Sequence, residues 1–212
     1  MRQMSDPDYA SDCQERLHDE NIAPITQLCD SLGTADKGSV PYVDPFYDVD
    51  GARILVLTPA PGPGTASGFL SHENDDDASE RLLRVFSSAG LDPKHTIPWT
   101  VHPWTQEDYA LNLTKDRITS GIKPFNRFLK RTPRVVTIMA HGGEAQKLVK
   151  AFSATIGGTV LTDKAIKVFA VPALHAQSAN KKFTPEELED QMVETYGQAM
   201  RLCGIRPLVN ES

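Results

Sequence analysis

The chain has 212 residues, 40% of them apolar and 24% charged, with a formal net charge of −6. That length suits one α/β domain with a modest extension, and the composition excludes wholesale disorder. No apolar run approaches the ~20 residues that span a bilayer. The polar, acidic opening at residues 1–8 is no secretory signal. Cys13, Cys29 and Cys203 form no C-x-x-C pair, so neither zinc nor an iron–sulfur cluster is expected, and a reduced, cytoplasmic setting fits best.

Residues 6–33 read as helical, with Leu17, Ile22, Ile25, Leu28 and Leu32 as apolar positions and Pro24 as the break between two helices. Residues 33–50 form a linker that wraps the domain. The expected division is therefore an N-terminal helical extension and linker over 1–44 and an α/β domain over 45–212. Four short apolar runs bounded by breakers predict buried strands at 53–57, 95–99, 135–139 and 167–171. Between them the pattern predicts helices at 77–89, with Asp77 and Glu80 at capping-box spacing, at 116–131 and at 143–154. The last helix has the clearest start: Thr184 as N-cap, Pro185 in its first turn and Glu187 completing a capping box. Strand alternating with helix four times implies a parallel sheet with helices on both faces.

The loops after these strands carry the chemistry. In an open parallel sheet, ligands bind beyond the carboxyl ends of the strands. The first loop, Thr58-Pro-Ala-Pro-Gly62-Pro-Gly, has few bulky side chains and lets a ligand approach its backbone. His102, His141 and His175 each follow a predicted strand. Convergent, they would be general acid–base groups, electrostatic stabilisers or metal ligands; apart, each would simply hydrogen-bond its own loop. An acidic chain is a poor non-specific nucleic-acid binder. Nevertheless Lys115, Arg117, Lys123, Arg127, Lys130, Arg131 and Arg134 concentrate positive charge in one stretch, as a basic face or a solvated helix surface.

Four segments in this order resemble the uracil-DNA glycosylase superfamily. The first is Thr58-Pro59-Ala60-Pro61-Gly62, similar to a Gly-Glu-Ala-Pro-Gly type loop. Ser67-Gly-Phe69-Leu-Ser-His-Glu-Asn74-Asp-Asp-Asp resembles the stretch that follows it in some bacterial members. Trp99-Thr100-Val-His-Pro103-Trp104 is similar to Trp-Asn-x-x-Pro-Trp, and His175-Ala-Gln-Ser178-Ala-Asn180 to a closing His-Pro-Ser-Pro motif. The resemblance covers residues 45–203 and implies a three-layer α/β/α fold with a four-stranded parallel sheet. It also implies base flipping from DNA containing uracil or another damaged base and hydrolysis of the N-glycosidic bond. A monomer without cofactor or metal is expected.

On this resemblance Phe69 would stack on the base and Thr100 would contact its edge. Pro59, Ala60 and Gly62 would line the base pocket, and His175 would hydrogen-bond the leaving base, where negative charge develops. Ser178, Asn180, Lys181 and Lys182 would meet the DNA. The chain departs from the pattern at three places. Pro59 stands where an acidic residue is expected, Thr100 replaces the base-reading Asn, and two residues of Pro-Ser-Pro are changed. Glu73 or Asp75 would then supply the carboxylate. The alternatives are a non-catalytic module of the same fold that binds a nucleobase, DNA or a protein, and a hydrolase of free nucleosides or nucleotides.

Overall fold

The computed structural model describes residues 2–105, 113–155, 157–175 and 183–208. Helix α1 (Pro7–Glu15) starts at Asp6, whose side chain accepts from the Asp8 amide. A short turn follows, and α2 (Ala23–Leu32) carries Pro24 in its own first turn. The break therefore falls before the proline. A first-turn proline loses no hydrogen bond, because that amide has no partner within the helix. Inside the expected linker lies a two-residue strand, β1 (Tyr42–Val43).

The central strand β2 (Ile54–Thr58) runs into the Pro-Gly loop and a turn at Pro63–Ser67. Next come β3 (Phe69–Leu70), α3 (Asp77–Ala89) and β4 (Thr96–Thr100). Then follow α4 (Lys115–Arg131), β5 (Thr137–His141), α5 (Gly142–Ser153) and α6 (Gly157–Asp163). The chain closes with β6 (Lys167–Val171) and α7 (Pro185–Cys203). Thr184 and Glu187 form the expected capping box, and Gly204 ends α7 in the left-handed region at φ 68°. Strands β4, β2 and β5 start one or two residues later than the apolar runs suggest, at the register where parallel pairing begins: Ile54 lies opposite both Thr96 and Thr137.

These strands form one parallel sheet in the order β4-β2-β5-β6, and helices cover both faces. The architecture is the expected three-layer α/β/α. Alternation along each strand sorts the core into two. Leu55, Leu57, Ile97, Trp99, Ile138 and Ala140 pack under α2, α4 and α5. Ile54, Val56 and Met139 pack under α3 and α7. Ile25, Leu28 and Leu32 of α2 belong to the first of these cores, so this part of residues 1–44 is built into the sheet domain. The small β1–β3 ladder, with Tyr42 opposite Phe69, attaches the linker to the segment after the Pro-Gly loop. Among the described residues no helix is long and apolar enough to cross a membrane.

Candidate functional site

A cavity of about 340 Å³ opens beneath the Pro-Gly loop. Its wall toward the sheet is Val56, Thr96 and Pro98; its wall toward α3 is Ala78, Ser79 and Leu82. Thr58, Pro59, Ala60 and Gly62 border it at the carboxyl end of β2, while His141 and Glu144 border it where β5 passes into α5. Thus three of the predicted base-pocket residues, Pro59, Ala60 and Gly62, meet at one site, together with His175. The cavity reaches the strand ends, where ligands of parallel sheets bind.

Two polar side chains come to this cavity from distant parts of the chain. The His175 imidazole lies at its rim, with Nε2 3.9 Å from where a Cβ on Gly62 would stand. Desolvation lowers its pKa; the Asp76 carboxylate opposes that shift and Arg81 reinforces it. His175 is therefore neutral at pH 7 and offers one N–H and one lone pair. Asp76 is the N-cap of α3, its Oδ1 accepting from the Ser79 amide at 2.7 Å. A side chain on Gly64 would collide with the other oxygen, Oδ2, so the glycine is what allows this carboxylate into the site. Capping starts one residue before Asp77, and this single step decides which member of the acidic run faces the cavity.

The two carboxylates expected there face elsewhere. Glu73 accepts from the Gln3 amide and pairs with Arg2, and Asp75 accepts from the Ser5 hydroxyl at 2.9 Å. Arg2 also donates to the His72 carbonyl, and the Met4 amide to the Glu73 carbonyl. The N-terminal turn thus lies along residues 72–75 and occupies their acids. This is a contact across about 70 positions of sequence, beyond the reach of local pattern.

The remaining cavity groups form a fixed polar wall. The Tyr47 hydroxyl accepts from the His72 amide at 3.2 Å and lies 2.7 Å from His72 Nδ1. The other ring nitrogen, Nε2, lies 3.7 Å from Glu73 Oε1. Burial lowers the His72 pKa, with Glu73 opposing. Asn74 is held at both ends, accepting from Ser67 at 2.8 Å and donating to the Phe69 carbonyl at 2.9 Å. Ser71 donates to buried Asp44 at 2.5 Å. Ser71, His72 and Asn74 carried no signal in the sequence beyond their place in the resembling stretch, and Tyr47 none beyond its place in the linker.

His141 is the last residue of β5 and fully buried. Its Nδ1 donates to the Pro172 carbonyl at 3.0 Å, and Nε2 accepts from the Tyr196 hydroxyl at 2.8 Å. Burial drives its pKa down to about 4, with the Pro172 carbonyl opposing. With both nitrogens engaged it is a neutral structural residue. His102 stands apart, beside Trp104 and 3.4 Å from the Ser120 hydroxyl. Of the three loop histidines, His141 and His175 both border the cavity and His102 does not; among the described residues, His175 is the one left without a structural hydrogen-bond role there.

Phe69 and Thr100 are also placed away from the cavity. Phe69 is 1% exposed and packs with Met4, Cys13 and Leu17, because the β1–β3 ladder turns its ring toward the N-terminal helices. The Thr100 hydroxyl is buried and donates to the His102 carbonyl at 3.3 Å. Trp99 stacks on Phe128, and Trp104 donates to the Leu32 carbonyl. Ser178, Asn180, Lys181 and Lys182 lie outside the described residues.

Among the described residues no group of three His, Cys, Asp or Glu is arranged to hold a metal ion. Fold and site together define a three-layer α/β/α protein with a carboxylate and a neutral imidazole above an apolar cavity at the strand ends. No protein-family model matches the chain, and no curated protein matches it.

Proposed function

We propose that the cavity receives a flat heterocyclic base, flipped from DNA, and that the protein hydrolyses its N-glycosidic bond. The observation that carries this reading is the meeting of His175 and Asp76 at the Pro-Gly loop above a single cavity. In the proposed reaction the bond between C1′ and the base nitrogen breaks, and its electron pair goes to the base. The Asp76 carboxylate faces the positive sugar and takes a proton from the attacking water. The His175 N–H contacts the departing base. Such positioned groups contribute roughly 10²–10⁴-fold each. Asp76 thereby fills the role that Pro59 vacates.

The partner in this reading is DNA. Exposed Lys115, Lys123 and Lys130 lie on one side of α4, a cationic stripe on the layer opposite the cavity; of these Lys115, at the start of the helix, stands nearest the strand ends. The reading also places the protein in the cytoplasm, where the buried free thiols of Cys13, Cys29 and Cys203 stay reduced.

Single- and double-stranded oligonucleotides bearing uracil or another damaged base, assayed for abasic sites, test the reaction. Product that disappears in His175→Ala and falls about 100-fold in Asp76→Asn is the expected result. Asn caps a helix as well as Asp does, so this second variant isolates the chemistry. A second reading, a binding module without hydrolysis, is favoured by Pro59 at the acidic position and by Phe69 in the core rather than in the cavity. Tight binding of these oligonucleotides without abasic product would decide for it.

A further inference from the structure

The charges around the cavity bear on which base the site takes. Among its described lining residues the charged side chains are carboxylates, Asp76 and Glu144. Asp76 Oδ2 is held against Gly64 by the helix cap, and Glu144 stands at the start of α5 with a nearby Lys147 at 3.5 Å. The imidazoles do not offset them. Burial lowers the pKa of each imidazole that borders the cavity, His72, His141 and His175, below the ordinary 6.5, and a tyrosine hydroxyl lies within 2.8 Å of a ring nitrogen of the first two. The volume of about 340 Å³ lies within the range of small-ligand pockets, ~300–1,000 Å³, and suits a bicyclic base as well as a single ring.

We infer that the cavity favours a base leaving as a neutral molecule from a cationic nucleotide, an N-alkylated purine, over one leaving as an anion, such as uracil. The inference rests on the hydrolytic reading above and names its substrate class. In an N7-alkylated purine nucleotide the ring already carries a positive charge. Breaking the C1′–N9 bond sends both electrons to the ring and cancels that charge, so the base departs neutral. The sugar becomes the cation, water oxygen bonds to C1′, and the water proton passes to Asp76. At every stage the positive charge, first on the ring and then on the sugar, faces a carboxylate. With uracil the same electron pair leaves an anion beside Asp76 and Glu144, and like charges in a partly desolvated site repel strongly.

The test uses the full chain and matched duplexes bearing one 7-methylguanine or one uracil. Released base is separated by chromatography and corrected for loss without protein. The expected result is release of 7-methylguanine at least about tenfold faster than uracil. That preference should narrow in Asp76→Asn and in Glu144→Gln, which the intrinsic lability of the alkylated bond does not do. Thermal melts of both variants show whether they remain folded, and Glu144→Gln lies outside the cap, so it reports on charge even if the Asp76 variant is destabilised. Uracil released as fast or faster overturns the inference and leaves hydrolysis standing. A preference unchanged in both folded variants overturns it as well. Release of neither base removes the hydrolytic reading, and this inference with it.

Discussion

The two faces of the edge strand β4 differ sharply. Toward α4, Ile97 and Trp99 are fully buried, and Trp99 stacks on Phe128 with ring centroids 4.5 Å apart. Toward α3, Thr96 and Pro98 face Ala78 and Ser79 across the cavity. Small residues on both walls leave the space that an indole and a phenyl ring fill on the other side. A parallel sheet must be covered on both faces, but only one has to be filled completely. Here the unfilled face also carries the carboxylate–imidazole pair. The teaching is that the site is made as much by side-chain volume withheld as by polar groups supplied.

The contrast can be broken most severely from the packed side. Trp99→Ala should cost about 3–5 kcal/mol, read from urea unfolding midpoints at constant m-value. A loss under about 1 kcal/mol would mean that the indole is not the filler that the comparison requires.

A second test concerns the boundary of the open face, where His141 and Tyr196 seal it beside α7. The folded pKa of His141 is about 4, below its ordinary 6.5. A histidine held neutral in the fold binds its proton more readily once unfolded. Its contribution is therefore complete above pH 6.5 and is lost progressively as pH falls from there to about 4. The loss should reach about 3 kcal/mol. Chemical denaturation from pH 7 to 4 measures it, and His141→Gln should flatten this part of the profile. An unchanged slope in that variant would assign the acid sensitivity to other groups.

Gly64→Ala probes how the open face admits its acid. The new methyl collides with the Asp76 carboxylate and lies 2.9 Å from the Asn74 Cβ. It should destabilise the fold by about 1–3 kcal/mol and lower base release alongside Asp76→Asn. Normal release in the alanine variant would show that Asp76 does not need its place beneath the loop.

The smallest effect on stability should come from filling the gap. Ala78→Leu puts its side chain into existing space, so calorimetry should register a change within about 1 kcal/mol. Base binding, followed by fluorescence anisotropy of a labelled oligonucleotide, should nevertheless be lost. Retained binding would place the ligand somewhere other than this cavity.

Much of the frame was legible along the chain because its signals are local. Four apolar runs bounded by breakers are the four strands of the main sheet, and the Thr184–Glu187 box starts α7 where its letters say. The acidic run shows where legibility stops. Asp75, Asp76 and Asp77 are chemically identical, and their roles differ by where α3 begins and what lies opposite. Asp75 meets Ser5, Asp76 caps the helix and enters the cavity, and Asp77 lies in the first turn. The histidines divide in the same way. A shift of two residues in the start of β5 turns His141 from a loop residue into a buried strand end.

By itself the sequence determined the layered α/β class, the succession of strands and helices, and the Pro-Gly loop at the end of β2, because propensity, capping and alternation act within a few residues. The tertiary structure decided which carboxylate joins His175, why Phe69 serves the core, and that a cavity exists on one face of β4. Those outcomes depend on the strand register, on the N-terminal turn lying across residues 72–75, and on the summed volumes of side chains far apart in the chain. Contacts of that range arise only when the whole polypeptide packs.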